Sequence, residues 1–188
     1  MVWSSQTRLH SKKKLIGYKE RCTDKRQTYL QKLAALKALG KSIVYTDESG
    51  FRQESHRRYA YAPRGECVLG LISSQRTRTT TLLAARIENT FTAAKLVQSG
   101  CKATHFNDWL AEVLCPRLSS DHVVIMDNAR LHKTPRTREL IEATGAELMF
   151  LPPYSPDYNP IEHDFANIKR KREYYPEKSI EDIIQMYK

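Results

Sequence analysis

Two aspartates stand directly behind runs of apolar and β-branched residues that are typical of buried strands. Asp47 follows residues 42–46, and Asp127 follows residues 122–126. A carboxylate so close to a hydrophobic core must be paired or must bind a cation, because an unpaired buried charge is costly. Aspartate is also a common turn residue after a strand, so each residue taken alone allows a structural or a functional interpretation.

A third acidic residue, Glu162, stands at the predicted start of a helix. Asn159 could cap that helix with Pro160 in its first position, and Glu162 would then complete a capping box. The same position would also hold a carboxylate rigidly in a cleft. Glu48 competes with Asp47 for such a place: side chains alternate along a strand, so the two face opposite ways, and the residues alone do not choose between them.

Three carboxylates on rigid elements would suit metal-dependent phosphodiester chemistry. Mg²⁺ and Mn²⁺ are hard ions that prefer oxygen ligands. Two such ions about 3.5–4 Å apart can activate a nucleophile and stabilise a leaving oxygen on a phosphodiester. Because carboxylates, water and substrate phosphate can complete the coordination, this chemistry needs few other catalytic groups.

The hydrophobic pattern predicts the elements that would position these side chains. Helices are expected over 26–39, 104–115, 134–143, 160 to about 172, and 179–187, and strands over 42–47, 66–72, 79–87, 122–127 and 147–151. This order predicts an α/β protein with a mixed central sheet flanked by helices, a layout that suits a ribonuclease-H-like fold.

The composition favours an intracellular protein with a polyanionic partner. Among 188 residues, 31 Lys and Arg stand against 21 Asp and Glu, so the formal net charge is +10 and nucleic acid is a natural partner. The four cysteines lack C-x-x-C spacing, which argues against a zinc site. No signal peptide and no apolar run of about 18 residues is present, so we expect a cytoplasmic protein with reduced thiols and no membrane partner.

Three segments of the chain resemble the DDE transposases of the mariner superfamily, and most closely their bacterial insertion-sequence branch. They are VYTDESGF at 44–51, MDNARLHK at 126–133 and LPPYSPDYNPIE at 151–162. Between Asp127 and Glu162 lie 34 residues, a spacing that is characteristic of this superfamily. The three segments occur in the family's order, and the resemblance covers residues 26–188.

The resemblance implies that Asp47, Asp127 and Glu162 are the catalytic residues and bind two Mg²⁺ ions, with Mn²⁺ as a substitute. One ion would activate the water that cuts DNA at the end of the element, and the freed 3′-hydroxyl would attack target DNA. The implied partners are element ends and target DNA, bound by a dimer. The implied location is the cytoplasm, in association with the nucleoid.

Five further residues are expected to support the site or to contact DNA. Asn128 and His132 flank the second aspartate, where the resemblance implies either role. Lys169, Arg170 and Arg172 belong to a basic run on the helix of the third acidic residue, and Lys169 lies two turns from that residue on the same face. Each of the five also has a plain structural interpretation as part of a turn, a loop or a solvated helix surface.

The chain departs from the family ahead of the first aspartate. Full-length members carry a helix-turn-helix DNA-binding region there, whereas only 46 residues precede Asp47. We therefore expect an N-terminal arm and linker helix over 1–40, a catalytic domain over 41–188, and a separate N-terminal DNA-binding chain as a further partner.

Two alternatives remain open from the sequence. One is another ribonuclease-H-like nuclease, which would share the metal chemistry and lack strand transfer. The other is a non-catalytic DNA-binding remnant of a truncated transposase, whose acidic residues are intact although it moves no DNA.

Overall fold

Five strands form one mixed sheet in a computed structural model that describes residues 22–52, 61–69, 79–98 and 100–187. In chain order they are β1 (Ser42–Arg52), β2 (Thr79–Ile87), β3 (Thr90–Gln98), β4 (His122–Met126) and β5 (Glu147–Phe150). Their order across the sheet is β3-β2-β1-β4-β5. The pairs β1–β2 and β2–β3 are antiparallel, while β1–β4 and β4–β5 are parallel.

Within the described residues, five α-helices cover the two faces of this sheet. They are α1 (Thr23–Ala38), α2 (Ala103–Trp109), α3 (Pro135–Glu142), α4 (Ile161–Tyr174) and α5 (Ile180–Gln185), and α2 continues into a π-helical turn over Leu110–Leu114. Gly40, at a φ of 75°, follows α1 in the left-handed conformation that commonly ends a helix. Thr134 begins α3 by accepting a hydrogen bond from the Thr137 N–H, at 3.1 Å.

The two faces of the sheet bury separate hydrophobic cores. Alternate residues of β4 divide between them: Val123 and Ile125 pack with α1, α4 and α5, whereas Val124 and Met126 pack with α2 and α3. A central strand buried on both faces must be apolar at every position, which explains its uninterrupted hydrophobic run.

The predicted α/β architecture with a mixed sheet and flanking helices is confirmed, and the predicted helices match those observed to within a few residues. Strand β1 continues past its predicted end at residue 47, because its pairing with β2 extends to Arg52 and Thr79. Of the predicted strand over 66–72, residues 66–69 form no strand and include the exposed Leu69, and 70–72 lie outside the described residues.

Strand β3 is absent from the sequence prediction. It is an edge strand of the sheet, and most of its residues are only partly buried, so its pattern lacks both alternation and a continuous apolar run. Of the predicted N-terminal arm and linker helix over 1–40, the helix is present as α1, while residues 1–21 lie outside the described part of the chain. The division into an arm and a catalytic domain stays a prediction.

Two other predictions concern the surroundings of the protein. Cys22, Cys67, Cys101 and Cys115 are free thiols. Within the described residues, none of the helices combines the length and the apolarity that a membrane crossing requires.

Helix α1 is fastened to the turn that precedes α4. The guanidinium of Arg26 donates to both carboxylate oxygens of Asp157, at 3.0 and 2.7 Å, and lies 3.8 Å from the centre of the Tyr158 ring. That ring stacks in turn on Tyr29 of α1, with 5.5 Å between the ring centres. Paired hydrogen bonds and stacking on one arginine side chain fix both the distance and the orientation of the turn.

We expect Arg26→Ala to destabilise the fold, because it removes the bidentate ion pair and the contact with Tyr158. For this partly exposed pair the loss is about 1–2 kcal/mol, or roughly 3–6 °C in the melting temperature. Arg138→Ala, which removes the exposed pair with Glu142 on α3, is the control and should change the melting temperature by less than about 2 °C. Thermal unfolding followed by circular dichroism gives the comparison, and equal losses in the two variants would contradict this account.

Candidate active site

Asp47 lies where two neighbouring strands separate. Strand β1 pairs in parallel with β4 from Ser42–His122 to Tyr45–Ile125, and β4 ends one residue later at Met126. Continuing this register places Asp47 beside Asp127, the first residue after β4. The prediction that Asp47 ends its strand is wrong, because pairing with β2 carries β1 onward while its β4 side opens.

Hydrogen bonds hold both oxygens of the Asp47 carboxylate. Oδ1 accepts from the backbone N–H of Glu48 at 2.8 Å, and Oδ2 accepts from the side-chain amide of Asn159 at 3.0 Å. Asn159 itself is buried. The contact joins β1 to the segment that leads into α4, so it sets the separation of the first and third acidic residues.

Asp127 is held from the chain that follows it. Its Oδ1 accepts from the Ala129 N–H at 2.8 Å and lies 2.6 Å from Nδ1 of His132. The other ring nitrogen of His132 lies 2.9 Å from Oε2 of Glu48. The His132 ring is fully buried, whereas the side chain of Asp127 is 46% exposed and open to the cleft.

Glu162 lies in the first turn of α4, and the predicted capping box does not form. The residue before the helix is Pro160, and no side chain caps the helix there. Asn159, the predicted cap, turns its amide to Asp47 instead, while its backbone carbonyl accepts from the Glu162 N–H at 3.2 Å. Because the box is absent, the Glu162 carboxylate is available to the cleft.

One cleft of about 340 Å³ brings all three predicted acidic residues together. Asp47, Asp127 and Glu162 share its wall with two asparagines, Asn128 and Asn159, and with residues of the 151–156 segment. The cleft lies at the carboxyl end of the parallel pair β1–β4, the edge at which open α/β sheets commonly bind ligands.

The carboxylates affect one another's ionisation. Burial raises the pKa of Asp47 to about 7, although the hydrogen bond from the Glu48 N–H acts to lower it. The negative charges of Glu48 and Asp127 add to the rise. Burial also raises the pKa of Glu162, and Asp157 and Asp127 contribute to it. The cleft thus concentrates negative charge that its own surroundings neutralise only in part.

His132 compensates part of this charge at Asp127. Burial lowers the pKa of the imidazole, but hydrogen bonds with Asp127 and Glu48 outweigh it and raise that pKa to about 9. Burial has the opposite effect on Asp127 and raises the pKa of its carboxyl group. Hydrogen bonds from His132 and the Ala129 N–H, together with the nearby charge of Lys133, outweigh burial and bring that pKa below its ordinary value. A protonated His132 can donate to both carboxylates at once.

The donor set of the cleft fits a hard divalent cation. It offers three carboxylates and Asn159, whose buried Oδ1 has no hydrogen-bond partner among the described residues. In the described part of the chain, no three Asp, Glu, His or Cys side chains lie close enough together to form a ready-made metal centre.

The five residues predicted to support the site or contact DNA fall into two groups. Asn128 donates to the Leu151 carbonyl at 2.6 Å and lines the cleft, and His132 is buried beneath it. The other three lie on α4, where Lys169 and Arg170 are exposed and Arg172 is partly buried. The burial of His132 favours the supporting role over contact with DNA.

The sequence does not predict the roles of two residues of the site. It predicts Asn159 as a helix cap, and it leaves Glu48 as a competitor of Asp47 for a place in the cleft. Their contacts join positions 112 and 84 residues apart in the chain, so local pattern held no signal for them.

The fold and the cleft together define a class of protein: α/β nucleases that gather carboxylates at the open end of a parallel strand pair. The sequence profile described as DDE superfamily endonuclease matches residues 42–186, and the chain belongs to that superfamily. No curated protein matches the sequence significantly. The predicted family is thereby confirmed at the level of the superfamily, and the bacterial insertion-sequence branch stays a prediction.

Solved structures of Mos1 transposase share this fold. The paired-end complex with the left transposon end aligns with a TM-score of 0.67 at 16% identity, covering 89% of this chain and 54% of that one. The Strand Transfer Complex gives 0.67 at 17% identity, covering 97% and 62%. The catalytic domain with Raltegravir and Mg gives 0.60 at 17% identity, covering 90% and 81%.

These likenesses confirm the predicted ribonuclease-H-like fold. The chain spans about half the length of the Mos1 chain in the paired-end complex. At such identities the alignment shows the fold alone.

We expect Asp47→Asn to stabilise the metal-free protein at pH 8. The raised pKa of Asp47, about 7, means that folding favours the protonated carboxyl group. The stability that this group contributes to the fold is fully present below its pKa in the unfolded chain, and it is lost as the pH rises through 7. Removing the charge should therefore raise the free energy of unfolding by on the order of 1–3 kcal/mol at pH 8, and by much less at pH 5.

Urea unfolding in the presence of EDTA at the two pH values measures this difference. Asp108→Asn, which changes an exposed carboxylate on α2, is the matched control and should have little effect at either pH. A gain for Asp47→Asn that does not depend on pH would show that repacking, and not the lost charge, is responsible.

Proposed function

We propose that this chain is the catalytic domain of a transposase, which cleaves and joins DNA strands with two Mg²⁺ ions, for which Mn²⁺ can substitute. The observation that supports it is the convergence of Asp47, Asp127 and Glu162, from three separate elements, on one cleft in a member of the DDE superfamily. Mos1 mariner paired-end complexes have been solved with Mn and with Mg, which supports the choice of metal.

In this proposal the three carboxylates hold the ions and the rest of the cleft holds the carboxylates. When bound, the ions would activate the attacking water or 3′-hydroxyl and stabilise the leaving oxygen. The Asn159 amide fixes the rotamer of Asp47, and the Ala129 N–H fixes that of Asp127. Because Glu162 lies on a helix packed against the sheet, its backbone is as rigid as those of the two aspartates.

The proposed substrates are the DNA ends of a bacterial insertion element and its target DNA. The net charge of +10 supports binding to DNA, and so does the run of Lys169, Arg170 and Arg172 on the helix that carries Glu162. Solved structures of Mos1 transposase include a paired-end complex with the left transposon end and a Strand Transfer Complex, which supports this choice of substrate. Asn128, at the cleft wall, would contact the strand being cut.

Joining two ends to one target makes a dimer on DNA the proposed working form. A separate N-terminal DNA-binding chain would supply the recognition of element ends. The cytoplasm, in contact with the nucleoid, is the proposed location.

A cleavage and strand-joining assay tests this function. Labelled duplexes made from the sequences that flank the reading frame are incubated with the protein and Mg²⁺ or Mn²⁺, with and without an added N-terminal DNA-binding fragment. We expect metal-dependent nicking and joining that Asp127→Ala lowers by about 10²-fold or more, because it removes a metal ligand.

Asp108→Asn is the control for this assay, since it changes an acidic residue away from the cleft. Metal-dependent cleavage without joining would favour the ribonuclease-H-like nuclease. DNA binding without any cleavage, with or without the fragment, would favour the non-catalytic remnant.

We expect Lys169→Ala to weaken DNA binding in a salt-dependent manner. A lysine that neutralises one phosphate contributes about one unit to the slope of log affinity against log salt concentration, so the variant should lose about that much. Fluorescence anisotropy with a labelled duplex at several KCl concentrations measures the slope. Lys37→Ala, on the exposed face of α1, is the control, and equal slopes for the two variants would place DNA elsewhere.

A further inference from the structure

Glu48 faces away from the cleft, yet it reaches the cleft through one buried ring. Side chains along β1 point alternately to the two faces of the sheet. Val44 packs in the core beneath α2 and α3, and Glu48, four residues later, lies on the same face, whereas Asp47 lies on the other. On that side Glu48 Oε2 meets His132 Nε2 at 2.9 Å, and His132 Nδ1 meets Asp127 Oδ1 at 2.6 Å. The ring therefore bridges the carboxylate of a β1 residue and that of the first residue after β4.

The bridge is held on every side. The His132 ring is fully buried and packs on Phe106 of α2, with 4.4 Å between the ring centres. Phe106 is itself completely buried. With its faces confined by packing and its two nitrogens held by carboxylates, the ring has no alternative position that keeps its hydrogen bonds.

The bridge also determines which oxygen of Asp127 meets the cleft. Among the contacts of the described residues, the bonds from His132 and from the Ala129 N–H both end on Oδ1. Oδ2 is thus the oxygen that remains for a cation. Loss of Glu48 would release one end of the ring and let the Asp127 carboxylate rotate away from this arrangement.

We infer that Glu48 is a positioning residue of the active site, which acts through His132 to orient the Asp127 carboxylate for metal binding. The inference rests on the proposed function and adds Glu48, which does not line the cleft, to the supporting role already expected of His132. Partners that orient a metal ligand through a hydrogen bond typically change metal affinity by about 10–100-fold when they are removed.

Three substitutions separate geometry from charge. Glu48→Gln keeps the length of the side chain and can still bond His132, because an amide both donates and accepts. Glu48→Asp keeps the charge but shortens the side chain by one methylene, which moves it out of reach of the ring. Glu48→Ala removes both, and Glu112→Ala, which breaks an exposed pair with Lys95, is the control.

Calorimetric titration of the purified chain with Mn²⁺ alone is the main measurement. We expect the dissociation constant to rise about 10–100-fold for Glu48→Ala and Glu48→Asp, and to change less than about threefold for Glu48→Gln and for the control. In metal-free protein, the NMR signal of the Ala129 amide should shift in Glu48→Ala and Glu48→Asp, because that amide reports the position of the Asp127 carboxylate.

The outcomes distinguish this inference from the proposed function. Asp127→Asn is titrated in parallel, and if it leaves Mn²⁺ binding unchanged, the proposed metal site itself is wrong. If Asp127→Asn weakens binding and Glu48→Ala does not, the positioning role alone is overturned. Loss of affinity in Glu48→Gln equal to that in Glu48→Ala, or full affinity in Glu48→Asp, would show that charge and not geometry matters. Unfolding midpoints measured without metal identify any variant whose effect is loss of the fold.

Discussion

The early end of the parallel pairing between β1 and β4 is the constraint on which the rest of the site depends. Strand β4 stops at Met126, whereas β1 continues to Arg52 because β2 supports its other edge. The two central strands therefore separate at the level of Asp47 and Asp127, and the gap between them is the cleft. Had β1 also ended at this level, Asp47 would have lost the support of its pairing with β2.

Gathering carboxylates in this gap has a cost that the surrounding structure offsets with specific hydrogen bonds. Asn159 donates to Asp47, and the Ala129 N–H and His132 hold Asp127. Those bonds orient the carboxylates without fully neutralising them, so the metal-free protein retains repulsion among its acidic residues. Such a site favours cation binding over stability, a compromise that is common where function requires clustered charge.

The sequence predicted the elements that are locally patterned and missed the contacts that are distant along the chain. Buried runs before Asp47 and Asp127 marked their strands, and the family resemblance supplied Glu162 as their partner. Asn159 was misassigned because a polar residue ahead of a helix is readily explained as a cap. Its side-chain amide in fact donates a hydrogen bond to Asp47, which lies 112 residues earlier in the chain. Strand β3 lacked a pattern because an edge strand is only partly buried, and pairing with β2 rather than composition defines it.

Helix α1 shows that the unit recognised by sequence and the unit that folds have different limits. The family match begins at residue 42, but Arg26 and Tyr29 lie ahead of it and hold the turn at Asp157 and Tyr158 from which α4 departs. A fragment cut at the edge of the match would keep Asp47, Asp127 and Glu162 and lose the contacts that hold the turn before α4. The turn from which the Glu162 helix departs is thus held by a helix outside the residues by which the family is recognised.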